Sequence, residues 1–486
     1  MRLSKLTERL VGATTLFYKE TEIESLSIES AKSQKNSLYF CLTGGKSDGH
    51  KYAKQAMKNG AVALVVEREL PLSVPQILVN DARKTLSVLS SAFYGDPSER
   101  LKIIAITGTN GKTTTAHMLA SILETDGKKV GIIGTLGAKF SGEKKQANLT
   151  TPDPIELNAI LSDMLCRGVE YVVMEASAHA LYYKKTAGMR FYACIFTNLT
   201  QDHLDFFATM DDYEQAKSQL FTDTVCPLAI INGDDGFGRA IGENRKNKTL
   251  YYGMNTPTDA FAIVTEETLH GSKCMLNISD KLCRITLSMT GIHNVYNALA
   301  SATCAYALGV DISSIASGLT ALKGVTGRLE FIAKINQADV FVDFAHTPDG
   351  LEKSLTALKK HCRGRLICLF GCGGNRDKSK RPIMGETVAK NCDFAVLTSD
   401  NPRFEDPLDI LSQVEKGYRK ASLRYVIVPD RERAIAYALD TISKNDVLLV
   451  AGKGGEEYQE IMGIKYPFSD NDIIAKMIME KLKTEG

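Results

Sequence analysis

Short runs of consecutive apolar residues, most of them rich in Val, Ile, Leu or Phe, alternate along the chain with stretches of helical pattern. A run of this kind reads as a strand covered on both faces, so the alternation predicts parallel sheets sandwiched by helices, an α/β fold. Leu101–Ile106 is followed by the helix-like Ala116–Glu124, and the series continues through Val169–Met174, Cys194–Thr197 and Leu228–Asn232 to the helical stretch Val295–Leu308. A fresh series of strands comprises Val340–Phe344, Leu366–Phe370, Phe394–Thr398, Tyr425–Val428 and Val447–Val450. Gly95-Asp96-Pro97-Ser98 punctuates the chain before the first of these series, and Gly324–Arg328 separates the two. The expected domains are therefore residues 1–98, 99–327 and 328–486.

Length supports the division, since 486 residues exceed what one core accommodates. Hydrophobic content of 44% and charged content of 24% are those of an ordinary soluble chain. A net charge of +2 gives no reason to expect a nucleic acid or an acidic membrane as partner. The 11 cysteines are scattered without a C-x-x-C pair, which suggests neither zinc nor redox chemistry and fits a reducing compartment. Met1–Glu20 lacks the apolar core of a signal peptide and no apolar run is long enough to span a bilayer, so a cytoplasmic protein is expected.

The most specific chemistry lies at 107–115, Thr-Gly-Thr-Asn-Gly-Lys-Thr-Thr-Thr, between a strand and a helix. Backbone N–H groups of such a turn, with the helix N-terminus, can cradle phosphates; Lys112 would reach the terminal phosphates and the Thr113 hydroxyl a Mg²⁺ ion. Ile106 stands where the full Walker A pattern has its first glycine. Glu175 ends an apolar strand, which leaves it a structural partner or a metal ligand, and His203 is equally a satisfied polar residue or a ligand. Lys217 by itself reads as a snorkelling helix lysine. Asn294 and Asn297 share a helix face, suited to a purine or simply to capping. Gly371–Lys378, Ser399–Arg403 and Gly452–Glu456 follow strands and should converge on one sheet edge, where Arg376, Arg403 and Glu456 describe a pocket for a molecule bearing both carboxylate and ammonium, or else a solvated surface cluster.

The elements T-G-T-N-G-K-T, M-E-x-S-x-H-A-L (174–181), T-N-L-x-x-D-H-L-D (197–205), D-Y-x-x-A-K-x-x-L-F (212–221) and G-x-H-N-x-x-N-x-L-A (291–300) resemble, in order and spacing, those of the Mur ligases, which form amide bonds at the expense of ATP. The resemblance covers essentially the whole chain. It implies a uridine-binding α/β domain, a central phosphate-loop domain with a mostly parallel sheet and a Rossmann-like C-terminal domain. It further implies ATP contacts by Gly108, Thr109, Asn110, Gly111, Lys112, Thr113, Thr114, Asn294, Asn297, Arg328, Asp343 and His346. Mg²⁺ would be held by Thr113, Glu175, His203 and a carbamylated Lys217, with Lys112, Lys217, Glu175 and His203 as the catalytic set.

Asp400-Asn401-Pro402-Arg403 is similar to the MurE branch, which adds the third residue of the peptidoglycan stem peptide to UDP-MurNAc-L-Ala-D-Glu. Within that branch D-N-P-R goes with meso-diaminopimelate, whose second carboxylate lysine lacks. The implied diaminopimelate site is Arg376, Asp400, Asn401, Pro402, Arg403, Gly452 and Glu456, and the implied UDP-MurNAc-dipeptide site is Ser30, Gly45, Lys46, Ser47, Thr150, Thr151, Ser177 and Lys185. The expected protein is a monomer acting on small molecules. The rival readings are lysine or another diamino acid as acceptor, a folylpolyglutamate synthetase-like reaction, and a non-catalytic nucleotide- or UDP-sugar-binding paralogue. Three places depart from the family pattern: Glu29-Ser30-Ala31 for D-S-R, Tyr183 and Lys185 for Gln and Arg, and Gly455 for the histidine of G-K-G-H-E.

Overall fold

A computed structural model describes residues 1–45, 47–146 and 149–484. The apolar runs become the middles of three sheets. The first has five strands in the order Thr14–Leu16, Gln76–Leu78, Ala61–Val66, Ser37–Phe40, Ser25–Ser27, parallel except for the first pairing. The second has eleven strands, and its parallel heart runs Ala260–Thr268, Lys248–Gly253, Leu228–Asn232, Ala193–Phe196, Lys102–Thr107, Tyr171–Glu175, Val130–Gly134. The third has six, in the order Glu330–Ile335, Ala338–Asp343, Val447–Ala451, Leu366–Phe370, Phe394–Leu397, Tyr425–Ile427, antiparallel only at its first pairing. Among the described residues no helix is long and apolar enough to cross a membrane.

Continuous apolar strands are what a sheet with helices on both faces requires. Ile103 and Ala105 point into one helix layer with Val172 and Met174, while Ile104, Ile106 and Val173 point into the other. Strand ends agree with the sequence reading to within a residue or two. In the central sheet seven strands are additions: Val130–Gly134, Lys248–Gly253 and Ala260–Thr268 in its parallel part, and two ribbons, Gly271–Ile278 with Lys281–Leu287 and Gly137–Phe140 with Glu143–Lys145, that finish it antiparallel at its two ends. In the ribbons Glu143–Lys145 and most of Lys281–Leu287 face solvent, and Gly271–Ile278 alternates buried with less buried positions, so they lack the uninterrupted apolar run that marks a strand covered on both sides. The helix after the phosphate loop begins at Lys112 rather than Ala116, because Thr113, Thr114 and Thr115 form its first turn and are buried there.

The register aligns the carboxyl ends of the central strands, with Glu175 beside Ile106 and Phe196 beside Thr107. In the third sheet the corresponding edge is held by an ion pair with no solvent exposure on either side chain. Arg431 Nε and Nη2 donate to the Asp470 carboxylate at 2.8 and 2.7 Å, and Nη2 also donates to Ala451 O at 3.0 Å. Nη1 reaches Ser399 O at 3.4 Å. One guanidinium thereby ties together the strand ends that precede Asp400 and Gly452. Removing Asp470 would leave it charged, buried and without its counter-ion, so Asp470→Ala should lower stability by about 3–5 kcal/mol. The check is the midpoint of urea unfolding followed by circular dichroism; a shift under about 1 kcal/mol would show that the pair does not brace this edge.

Candidate active site

Two glycines shape the phosphate loop. Gly108 has φ +144° and Gly111 has φ +87°; a β-carbon on the first would overlap the Thr197 hydroxyl and on the second the Asn297 side-chain oxygen. The loop is stitched to the next strand's end: Thr109 N donates to Asn198 O at 2.8 Å, Asn110 N to Asn198 Oδ1 at 3.0 Å, and Thr197 Oγ1 to Asn110 O at 2.7 Å. The loop's backbone is thus set before any ligand arrives.

Around the loop, the sequence-predicted groups form a connected centre. Glu175 Oε1 accepts from Thr113 Oγ1 at 3.0 Å and from Thr135 N at 2.9 Å, and Arg328 Nη2 donates to Thr113 Oγ1 at 2.9 Å. The Thr113 hydroxyl and the Glu175 carboxylate are adjacent, buried oxygen donors, a set that fits Mg²⁺. His203 stands in the left-handed backbone region at φ +57°, with Nε2 3.4 Å from Asp202 Oδ2. Desolvation in the cleft pushes its imidazole well below the ordinary value, leaving a neutral ring able to offer a lone pair. Burial would raise the Asp202 carboxyl, but His203, His346 and Lys380 outweigh it and hold Asp202 below the usual carboxylate range.

Lys112 and Lys217 converge on the same acceptor, each donating to Gly108 O at 2.9 Å. A capping box, Thr209 with Asp212, starts the helix Met210–Ser218 that carries Lys217 inward, where it is 1% exposed and lies 4.4 Å from the centre of the Tyr213 ring. Burial first, then the neighbouring Lys112, drive the Lys217 amine far below its ordinary value. Burial likewise lowers Lys112 and Arg328.

Most of these groups line a cavity of about 1130 Å³ between the central and C-terminal domains. Thr109–Thr114, Glu175 and His203 contribute from below, with Asn294 and Asn297 at one flank. Asn294 Nδ2 caps Thr290 O at 2.8 Å and its oxygen accepts from Asn297 Nδ2 at 3.2 Å. From the C-terminal domain come Arg328, Asp343, His346, Arg376, Arg403 and Glu456. Burial raises the Asp343 carboxyl against the pull of Arg328, and burial lowers His346, whose Nδ1 lies 2.8 Å from Phe344 O. Asn110 Nδ2 donates to Asp349 Oδ2 at 2.7 Å, a direct bond between the loop and the C-terminal domain.

Asp400, Asn401, Pro402 and Gly452 stand behind the cavity wall rather than in its lining. Asn401 is 2% exposed; its Nδ2 donates to Glu456 Oε2 at 2.9 Å, and its Oδ1 accepts from the fully buried Lys453 at 3.0 Å. Gly452 passes so close to Asp400 that a β-carbon would come within 2.8 Å of its carboxylate. Arg376 is half-exposed, 4.0 Å from Asp205. Gly108 and Lys217 likewise lie beneath the lining.

Of the groups predicted to hold the nucleotide-sugar substrate, Thr150 and Ser177 line the cavity, and Thr151 and Lys185 stand just outside it. Thr151 Oγ1 donates to Glu175 O at 2.8 Å and accepts from Ser177 N at 3.1 Å; Lys185 Nζ sits 2.8 Å from Asp153 and donates to Thr151 O at 3.3 Å. Ser30, Gly45 and Ser47 belong to the first domain and are not part of this lining, and Lys46 lies outside the described residues. Where the family pattern has a histidine, a β-carbon on Gly455 would already lie 2.9 Å from Leu136, which leaves little room for a ring. Sequence reasoning missed Thr135, Asp349, Lys453 and Glu460. Asp349 and Lys453 sit inside motifs that drew attention to other residues; Thr135 and Glu460 had no motif to mark them.

Comparison with known proteins gives the family. Family models match residues 22–103 (Mur ligase family, catalytic domain), 106–305 (Mur ligase middle domain) and 327–454 (Mur ligase, glutamate ligase domain). A relative from Caldanaerobacter subterraneus, named UDP-N-acetylmuramoyl-L-alanyl-D-glutamate--2,6-diaminopimelate ligase, is 40% identical over 95% of this chain and 96% of its own. A solved structure of a ligase of the same name superposes with TM-score 0.67 at 29% identity, covering 94% of this chain and 95% of that one. MurF ligase from Thermotoga maritima in complex with ADP shares the fold, with TM-score 0.64 at 20% identity over 95% of this chain and 98% of that one. With its three domains matched in order and a relative alike over nearly its full length, the chain belongs to the Mur ligase family.

Proposed function

We propose that this protein is an ATP-dependent ligase that joins meso-diaminopimelate to UDP-MurNAc-L-Ala-D-Glu, a step of peptidoglycan precursor synthesis. The observation that carries the reading is one cavity lined both by the phosphate-loop groups Lys112 and Thr113 and by Arg403 and Glu456 of the C-terminal domain. The side-chain carboxylate of D-glutamate attacks the γ-phosphorus of ATP, giving an acyl phosphate and ADP. The amine of diaminopimelate then attacks the acyl carbon, phosphate leaves with the C–O electron pair, and the amine's proton is lost. The protein acts on these small molecules as a monomer. Its substrates, ATP and a nucleotide sugar, suit the cytoplasm.

Lys112, the loop N–H groups and Arg328 neutralise charge on the phosphates as the phosphoryl group transfers. Thr113, Glu175 and His203 would hold Mg²⁺, which would disperse negative charge on the phosphates. Asn294 and Asn297 face the base end of the nucleotide, with Asp343 and His346 beside it. Thr150, Thr151, Ser177 and Lys185 hold the dipeptide end of the acceptor, and Ser30, Gly45, Lys46 and Ser47 its UDP end. Arg403 and Arg376 bind the distal carboxylate of diaminopimelate, and Glu456 its ammonium, with Asp400, Asn401, Pro402 and Gly452 shaping the wall behind. Lys217 is carbamylated: its neutral amine, favoured by burial, adds to CO₂ and releases a proton, leaving a carboxylate in place of a cation.

The direct test is phosphate release by purified protein with ATP, UDP-MurNAc-L-Ala-D-Glu and, in turn, diaminopimelate, lysine or ornithine. Release with diaminopimelate well above the other two is expected; equal release with all three, or none with any, defeats the reading. Lys217→Ala should nearly abolish phosphate release, and acetate or another short carboxylate should restore part of it. Full activity in that variant, or an unmodified Lys217 in the mass spectrum of active enzyme held at neutral pH under CO₂, would remove the carbamate from the account. Arg403→Ala should raise the KM for diaminopimelate, costing about 1.5–3 kcal/mol or roughly ten- to a hundredfold in kcat/KM, with the KM for ATP little changed. Lysine should suffer far less; equal losses for both acceptors would show that Arg403 does not discriminate between them.

A further inference from the structure

Arg403 has an unusual backbone and a restrained side chain, and both are explained by one neighbour. The residue sits in the left-handed region at φ +52°, which costs a non-glycine residue energy unless its surroundings hold it. The holding comes from the hairpin of strands Tyr458–Ile461 and Ile464–Pro467: Arg403 N donates to Glu460 O at 3.0 Å, and Met462 N donates to Arg403 O at 2.7 Å. The Glu460 side chain completes the grip, accepting from Arg403 Nε at 3.0 Å. On the other side Arg403 Nη1 donates to Gly374 O at 2.8 Å, in space that exists because Gly373 has no side chain: a β-carbon there would be 2.9 Å from Nη1.

A guanidinium offers five N–H groups in a rigid planar fork. Nε and one N–H of Nη1 are engaged, which fixes the plane; among the described residues Nη2 has no acceptor. Arg403 lines the cavity and Glu460 does not, so the carboxylate grips the fork from behind and leaves its outer edge to the cavity. Both side chains are largely covered, 17% and 22% exposed, which makes the pair stiffer than a surface ion pair.

We propose that Glu460 is the positioning residue that sets amino-acid specificity, by aiming the free edge of Arg403 at the distal carboxylate of the acceptor. The proposal rests on diaminopimelate as acceptor and deepens that reading. Without Glu460 the guanidinium keeps its charge and can still meet a carboxylate, but it must be ordered anew in each binding event. Affinity for an acceptor with a distal carboxylate falls, and an acceptor lacking one loses nothing.

The test is steady-state phosphate release by wild type, Glu460→Ala and Glu460→Gln with diaminopimelate and with lysine. The bonds that the hairpin makes to Arg403 N and O are backbone bonds, so both variants keep them; matching thermal melts check the fold. Expected is a rise of roughly tenfold in KM for diaminopimelate in Glu460→Ala, with kcat changed less than about threefold and KM for ATP unaffected. Glu460→Gln, which keeps an oxygen for Nε, should recover most of the loss, and the KM for lysine should move in neither variant. An unchanged KM for diaminopimelate in Glu460→Ala, or an equal rise for lysine, overturns the proposal while the functional reading stands. A wild-type enzyme that ignores diaminopimelate overturns both.

Discussion

Everything in the cleft depends on the close approach of the phosphate loop to two neighbours, the strand end Thr197-Asn198 and the helix face at Asn297. Neither approach leaves space for a β-carbon, so the loop can follow this path only with glycine at 108 and 111. Because Asn198 and Thr197 bond the loop from outside, its N–H groups are ordered in advance and little entropy remains to be lost on binding phosphate. The same stitching puts Thr113 against Glu175 and Gly108 O against two lysines. A shift of the loop would displace all of these groups together.

Charge is the second constraint. Lys112, Lys217 and Arg328 crowd into poorly solvated space, and burial works against the charged form of each. Such a site is expensive when empty and becomes favourable when an anion enters, which suits binding of a polyphosphate. Carboxylates answer only part of the positive charge: Glu175 faces Thr113, and Asp202 is paired with Lys380 at 3.6 Å. Lys380 comes from the C-terminal domain, as does Asp349, which accepts from Asn110. Domain position and loop electrostatics are therefore coupled, because cations and acceptors that complete the centre arrive from across the cleft.

The wall of the amino-acid pocket is built on a different principle. Buried Asn401 and Lys453 are satisfied by one another and by Glu456, and the buried Arg431–Asp470 pair fastens the strands on which they stand. Polar networks that are fully paired inside a fold lend rigidity and fix relative positions. In this network Asp400 and Asn401 shape the wall, whereas Arg403 and Glu456 present charge to the cavity.

The sequence by itself determined the parallel character of the central and third sheets, because a strand covered on both faces must be apolar throughout, and it determined the phosphate loop, because its glycines, lysine and threonines are contiguous. It also carried the order of the Mur ligase motifs, so Glu175, His203, Lys217 and Arg403 could be named before any coordinate was known. It could not reveal the antiparallel ribbons, whose solvent-facing residues interrupt the apolar run, nor the first helical turn at Lys112, whose buried threonines read as polar. Only the tertiary structure decided which residues of a motif reach the cavity and which stand behind it. Asn401 and Arg403, two positions apart in one motif, differ in this way: Arg403 lines the cavity and Asn401 is buried behind it. It alone also brought Glu460 to Arg403 and Asp349 to Asn110, since pairings across 57 and 239 positions of chain leave no local pattern and exist only once the chain has folded.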